Sequence, residues 1–178
     1  MELFEDPDAG GFFSSGAGDS SLVMRVKEDY DGAEPSGNSV AVMNLLRLAQ
    51  ITNRAAFWES AQRTLAAFGS RLTHAPVALP QMLSDCEFLL GQPRQVILVG
   101  ERDAPDTQEL LRTLRSSFTP HRVVLLVDSP DTRRLLAAGI PAIAAMDKLE
   151  GRAAAYVCRN STCQLPVSES TQFAELLQ

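Results

Sequence analysis

The residue types best suited to chemistry gather in an acidic, turn-rich stretch, DGAEPSGNSV, at residues 31–40. Asp31 and Glu34 follow Glu28 and Asp29 within KEDYDGAE, and a pair of carboxylates performs the acid/base work of glycoside hydrolysis. A run of acidic residues is more commonly a solvated loop, and we interpret Glu28 and Asp29 in that way. Gly and Pro near Asp31 indicate a fixed loop, so Asp31 and Glu34 are kept as candidate acid/base residues.

The three cysteines are Cys86, Cys158 and Cys163. Cys158 and Cys163 form a C-x4-C pattern, whereas a redox dithiol usually has C-x-x-C spacing. A zinc site needs about four ligands, and the other candidates, Cys86, His74 and His121, are scattered. We therefore expect no metal and no cofactor, and interpret Cys158 and Cys163 as two cysteines that flank a loop, packed or loosely paired. The odd number in a chain of this size favours a reducing compartment.

The stretch VILVGERDAP, residues 96–105, places a loop between a predicted strand and a predicted helix. It contains one Gly where the dinucleotide fingerprint needs three, and it has no P-loop Lys. The strand–loop–helix order is still typical of a small-ligand site at the strand ends, where ligands usually bind in α/β sheets. His74 and His121 have no Ser, Cys or Asp partner at catalytic spacing, and we interpret them as surface or turn residues.

The net charge of −6 is concentrated at the start of the chain. Residues 1–35 hold nine acidic and two basic side chains, whereas residues 36–178 hold thirteen and fourteen. A nucleic-acid-binding protein needs a basic face, so we expect no nucleic-acid partner. No apolar run reaches the ~20 residues of a membrane-spanning helix, and the first residues lack the pattern of a signal peptide. We therefore expect a soluble, cytoplasmic protein without a membrane partner.

A helical region up to Gly91 and an α/β region after it must position these residues. Apolar spacing predicts a first helix after Ser36 or Asn38, a second over residues 53–69 and a third from Pro80. Ser36 or Asn38 is the expected N-cap of the first helix. QVILVG, RVVLLV and AAAYVC then predict strands that alternate with helices. Such alternation implies parallel strands with right-handed crossovers. The predicted domains are residues 1–92 and 93–178.

The stretch RVKEDYDGAEPSGNSVAVMNLLRL, residues 25–48, resembles the late part of the spermatogenesis-associated protein 20 family of thioredoxin-domain-containing proteins. The resemblance continues in order through PVALPQML, VILVGERDAPDTQELL and AAAYVCRNSTCQLPV, over nearly the whole chain. It implies that the chain is a C-terminal fragment. Its partners would then be the missing N-terminal portions of the full-length protein, a thioredoxin-like domain and most of an α/α-toroid. The thioredoxin-like cysteine motif is absent here, so the redox chemistry of that domain is not assigned to this chain.

The same resemblance implies a mixed α+β fold class. The helical part would be the last hairpins of an α/α-toroid that resembles six-hairpin glycosidases and N-acylglucosamine 2-epimerases, and a small α/β domain with a short parallel sheet would follow. In such toroids, loops at one end of the hairpins line the central cavity. The candidates that would line it and bind a small sugar-like ligand are Arg25, Lys27, Asp31, Ser36 and Asn38. A structural account competes with this one: Ser36 or Asn38 caps the helix, and Asp31 braces the loop.

Three functions remain open from the sequence. The first is a non-catalytic C-terminal part with a scaffold or interaction role, linked to redox protein handling, because no complete catalytic constellation is present. The second is a carbohydrate-active toroid, an epimerase or glycosidase, that uses Asp31 or Glu34 as acid/base. The third is a small-ligand site at the strand ends of the α/β part. Fold likeness to sugar-handling enzymes does not by itself establish carbohydrate metabolism.

Overall fold

The chain forms two compact units in the computed structural model. The first unit contains the residues up to Leu90 except Gln50–Asn53, and the second contains Gln50–Asn53 and the residues from Gly91 onward. The residues that the structure describes are 3–18, 21–91, 93–118, 120–159 and 162–178.

The first unit begins with extended and turn segments and continues with helices. An isolated antiparallel bridge joins Glu5 and Phe12 within the opening segments. Asn53 follows the first helix in the left-handed region, with a φ of 53°, a conformation that Asn tolerates at helix ends. The helices of this unit are α1 (Gly37–Thr52), α2 (Ala55–Ala67), α3 (Gly69–His74) and α4 (Pro80–Leu90), with a 3-10 helix (Pro76–Ala78) before α4. The end of α1, from Gln50, and Asn53 belong to the second unit.

The buried faces of α1, α2 and α4 supply the core of the first unit. Val42 and Leu46 of α1, Ala61 of α2 and Met82 and Phe88 of α4 have no exposed surface. Within the described residues of this unit, the secondary structure is helical apart from isolated bridges. The toroid stays a prediction, as does the assignment of residues 1–92 and 93–178 to separate domains.

The second unit is built on a four-stranded sheet in the described part of the chain, with strand order β2-β1-β3-β4. β1 and β2 are parallel, as the alternation predicts, and Val99 lies opposite Val127 at their carboxyl ends. The strands are β1 (Arg94–Val99), β2 (Arg122–Val127), β3 (Ala154–Arg159) and β4 (Thr162–Cys163). The helices are α5 (Pro105–Ser116), α6 (Pro130–Ala137) and α7 (Ser170–Leu176), with a 3-10 helix (Pro141–Ala145) after α6.

The prediction of a parallel sheet is wrong for β3, which runs antiparallel to β1 with Ala154 opposite Val99. Immediately before β3, Leu149 and Arg152 form an antiparallel bridge around a turn in which Gly151 has a φ of 80°. This turn brings the chain to the carboxyl end of β1, so β3 runs back along its neighbour. The sheet is therefore mixed.

One face of this sheet packs against α5 and α7. Val96 and Leu98 of β1 contribute to this core together with Leu110, Leu114 and Phe173.

Gly100, which follows β1, marks a close approach of three elements. A Cβ at this position would lie 2.4 Å from the Thr107 hydroxyl oxygen and 2.8 Å from the Ala153 Cβ. Any larger residue would push α5 or the start of β3 away from the end of β1.

Candidate functional site

Asp31 connects the acidic loop to the start of α4. Its side chain is buried, with 7% exposure. One carboxylate oxygen accepts from the Ser36 N–H at 2.8 Å. The other accepts from the N–H groups of Gln81 at 2.9 Å and Met82 at 3.4 Å, and the Asp31 N–H donates to the Ala78 carbonyl at 2.7 Å. Asp31 therefore satisfies backbone donors in the first turn of α4, which have no partner inside the helix.

The environment of Asp31 favours its charged form. Burial raises the pKa of Asp31, but hydrogen bonds from Ser36, Ser39 and Met82 together outweigh burial and leave the pKa below its usual value. An ionised carboxylate accepts hydrogen bonds and donates none. The geometry is that of the structural account, in which Asp31 braces the loop. Glu34, the other candidate acid/base, has an exposed side chain, and the acid/base role of both residues stays a prediction.

Ser36 and Asn38 have different tasks at the start of α1. The Ser36 hydroxyl accepts from the Ser39 N–H at 3.2 Å, so Ser36 is the N-cap of α1. The Asn38 side chain is buried, accepts from the Phe12 N–H at 2.7 Å, and donates to the Phe12 and Glu28 carbonyls at 2.9 and 3.1 Å. Asn38 thus fixes the opening segments to α1.

Arg25 also fixes the opening segments through contacts with their backbone. Its guanidinium donates to the Ser15 carbonyl at 2.8 and 3.1 Å and to the Leu3 carbonyl at 3.0 Å. The same group lies 3.9 Å from the centre of the Phe13 ring, a cation–π contact. The charged end of Arg25 is therefore directed toward the chain's own backbone.

Lys27 is paired in a similar way but also borders a cleft. Its ammonium group lies 2.7 Å from the Asp6 carboxylate and donates to the Gly10 carbonyl at 2.5 Å. Hydrogen bonds from Ala9 and Lys27 lower the pKa of Asp6 to about 2. Lys27 also lines a cleft of about 590 Å³ in the first unit, together with residues such as Arg71 and His74.

Asp85 is a buried carboxyl that sequence reasoning missed. It has no exposed surface, and burial raises its pKa to about 7. One oxygen accepts from the Gln81 side chain at 2.9 Å, whereas the other has no hydrogen-bond partner among the described residues. Helical spacing could have identified it: Asp85 lies on α4 three residues after Met82 and three before Phe88, and both of those residues are fully buried.

A second cleft lies in the second unit, at the carboxyl ends of β1 and β2, and has a volume of about 510 Å³. This is the edge of the sheet for which the sequence predicts a small-ligand site. Apolar side chains such as Val99 and Val127 line it together with charged ones such as Arg133 and Lys148. We call it the strand-end cleft.

Cys158 and Cys163 form a disulfide bond, so the two cysteines are paired. They are directly opposed on β3 and β4, with Cys158 buried and Cys163 exposed. Cys86 is a free thiol whose pKa is raised, first by burial and then by Asp85.

Neither a metal-binding group of side chains nor a membrane-spanning helix occurs in the described part of the chain. No group of three or more His, Cys, Asp or Glu side chains there is placed to hold a metal ion. None of the helices described there has the length and apolar character required to cross a membrane.

Comparison with known proteins gives relatives that are much longer than this chain. Spermatogenesis-associated protein 20 of Homo sapiens is 37% identical over 180 residues, and the proteins of the same name from Mus musculus and Rattus norvegicus are 35% and 34% identical over 177 residues. Each match covers 99% of this chain but 22% of the relative, so the chain spans about a fifth of their length. No family model and no solved structure matches it.

Proposed function

The chain belongs to the spermatogenesis-associated protein 20 family and corresponds to a C-terminal part of it, and on this premise we propose that it is a non-catalytic interaction part. It binds the N-terminal portions of the longer family protein, the thioredoxin-like and toroid portions that the resemblance implies. The surface proposed to bind them is the apolar segment, defined as residues 22–30 of the first unit.

The observation that carries this proposal is an inverted pattern of exposure over residues 22–27 of the apolar segment; Glu28 and Asp29, which follow, are exposed as charged side chains usually are. Val23 is fully exposed, Met24 is 73% exposed and Tyr30 is 62% exposed. The charged ends of Arg25 and Lys27, in contrast, bind the backbone of the opening segments. The usual arrangement buries apolar groups and exposes charged ones, and exposed apolar surface on an anchored segment is typical of an interaction site.

The length of the relatives indicates what covers the apolar segment. About four-fifths of each relative lies outside the region that this chain matches, because the match covers 22% of it. A partner within the same longer protein has a high effective concentration. The proposed partner of the apolar segment is therefore another part of the same longer protein.

The redox link of the proposal rests on the disulfide between Cys158 and Cys163. A dithiol partner can reduce this bond: one thiolate attacks the exposed Cys163 sulfur, the sulfur–sulfur bond breaks, and Cys158 leaves as a thiolate and takes up a proton. The second thiol of the partner then resolves the mixed disulfide, so that the partner is oxidised and Cys163 is released as a thiol.

The alternative, a carbohydrate-active toroid, has no such observation in its favour, because the Asp31 carboxylate is bound to three backbone N–H groups.

The test is a binding measurement by isothermal calorimetry between this chain and the remaining portion of a longer family protein. We expect the wild-type chain to bind. Replacing Val23 and Met24 together with Asp should weaken binding at least about tenfold, because interface energy is concentrated in a few apolar anchors. The matched control is Val77→Asp, at a residue that is 88% exposed in the same unit but outside the apolar segment. Absence of wild-type binding, or equal binding by the double variant, would overturn the proposal.

A further inference from the structure

We propose that the strand-end cleft of the second unit binds a small organic anion, a ligand with an apolar or planar body and one phosphate or carboxylate group. The cleft lies where the carboxyl ends of β1 and β2 meet α6, and its volume is about 510 Å³. Ligands of α/β sheets usually bind at this edge, and pockets for small molecules have volumes of about 300–1,000 Å³. This binding is separate from the interaction role proposed for the first unit.

Apolar groups form the part of the cleft that would hold the body of the ligand. Val99 and Val127 contribute from the strand ends, Ala137 from α6 and Ala144 from the 3-10 helix. Small and branched side chains of this kind leave room for a flat ring and offer it no hydrogen bonds. An apolar or planar body, such as an aromatic or nucleobase ring, therefore fits this apolar part of the cleft better than a sugar ring, whose hydroxyl groups need partners.

Arg133 is the cation best placed to hold the anionic group. Its guanidinium donates to the Ile143 carbonyl at 3.2 Å and to the Met146 carbonyl. These bonds hold the side chain in place, so little further conformational freedom is lost when an anion binds. The charge itself remains available, because the carboxylate that pairs with it among the described residues, on Asp147, is 3.7 Å away and belongs to a side chain that is 84% exposed.

Lys148 adds a second positive charge, and its partner is also an exposed carboxylate. Its ammonium group pairs at 3.1 Å with Glu101, whose side chain is 75% exposed. Exposed ion pairs contribute little to stability, so a ligand anion can take the place of the Glu101 carboxylate at small cost.

The carboxylate of Asp128, which also lines the cleft, repels a bound anion only weakly. Hydrogen bonds from Thr132 and then from Arg102 hold its pKa below the usual value, so it is ionised. However, Arg102 pairs with this carboxylate at 2.9 Å and neutralises its charge.

The lining also contains the carboxylates of Glu101 and Asp147 and a third cation, Arg134, which pairs with Asp131. The anionic group is assigned to Arg133 and Lys148, because their carboxylate partners are exposed side chains that can turn away.

The test measures binding of four probes to the full chain by thermal shift and calorimetry. The probes are adenosine monophosphate, benzoate, adenosine and inorganic phosphate. We expect a rise in melting temperature with adenosine monophosphate or with benzoate, and little effect from uncharged adenosine. The comparison between the first two distinguishes a phosphate from a carboxylate ligand. No effect from either anion, or an equal effect from adenosine, would overturn the proposal.

Variants then locate the site. Arg133→Gln should weaken binding of the effective anion at least about tenfold, as expected for the loss of a charge-assisted hydrogen bond. Arg115→Gln, at an exposed arginine of α5 outside the cleft, is the matched control and should bind as the wild type does. If Arg133→Gln fails to fold, Lys148→Gln is the second variant, with an expected loss of about threefold or more. Unchanged binding in the variant that folds would overturn the proposal.

Discussion

The side-chain amide of Asn38 forms with Phe12 both of the hydrogen bonds that a neighbouring β-strand would form. It accepts from the Phe12 N–H at 2.7 Å and donates to the Phe12 carbonyl at 2.9 Å. Its second amide hydrogen is directed to the Glu28 carbonyl at 3.1 Å. One buried side chain at the start of α1 thus fixes two stretches of extended backbone that have no sheet of their own.

The first prediction concerns this amide. Asn38→Ala should lower the free energy of unfolding by about 2 kcal/mol or more, because three part-buried backbone groups lose their partner. Urea unfolding followed by Trp58 fluorescence and circular dichroism measures the change. Asn44→Ala, at an exposed position of the same helix, is the control and should stay within about 0.5 kcal/mol of the wild type. Equal stability of the two variants would contradict the role given to Asn38.

The second prediction concerns the pH dependence that Asp85 introduces. Burial raises its pKa to about 7 in the folded chain, whereas an unfolded Asp has a pKa of about 3.9. The folded state therefore holds its proton more tightly, and the contribution of Asp85 to stability is complete below about pH 4 and is lost as the pH rises to 7.

Asp85→Asn tests this dependence, because the amide is neutral at every pH. Relative to the wild type, the variant should gain about 1–3 kcal/mol of unfolding free energy between pH 4 and pH 8. Urea unfolding at a series of pH values provides the measurement. A difference between variant and wild type that does not change with pH would show that Asp85 is not a protonated acid in the folded chain.

The third prediction concerns the disulfide between Cys158 and Cys163. It closes a loop with a sequence separation of five residues, and a cross-link of this size contributes about 2 kcal/mol by restricting the unfolded chain. Reduction should therefore lower the unfolding free energy of the wild type by about that amount. Cys163→Ser should already have the lower value and should not respond to a phosphine reductant, whereas Cys86→Ser should respond as the wild type does. A reductant effect that persists in Cys163→Ser would assign it to another group.

The elements with strong local patterns were predictable from the sequence. RVVLLV coincides with β2 at Arg122–Val127, and the third predicted helix coincides with α4 at Pro80–Leu90. The direction of β3 was not predictable, because a buried strand has the same residue pattern whether it runs parallel or antiparallel to its neighbour. The predicted helix over residues 53–69 is divided differently, since α2 ends at Ala67 and α3 begins at Gly69.

The candidate site was predictable in its residue types but not in its contacts. Cap spacing limited the N-cap of α1 to Ser36 or Asn38, because the partner of an N-cap lies within the next turn, and the structure shows that Ser36 accepts the capping bond. The partner of Asp31 is Gln81, fifty residues away in the sequence, and local spacing contains no information about such a pair. For the same reason, the contacts of Arg25 and Lys27 with the backbone of an earlier segment were not predictable; their role in a ligand-binding cavity stays a prediction.

The pairing of residues 162–167 with β3 has a consequence for contacts between copies of the chain. β4 has two residues, Thr162 and Cys163, but the chain continues along the same side of β3: the Gln164 N–H donates to the Val157 carbonyl at 3.0 Å, and Ala155 and Val167 form an antiparallel bridge. A sheet edge with unpaired backbone groups is a template for strand addition. Here the disulfide and those backbone bonds together cover the edge, so reduction removes only one of the two restraints, and self-association through β3 would require release of residues 162–167 as well.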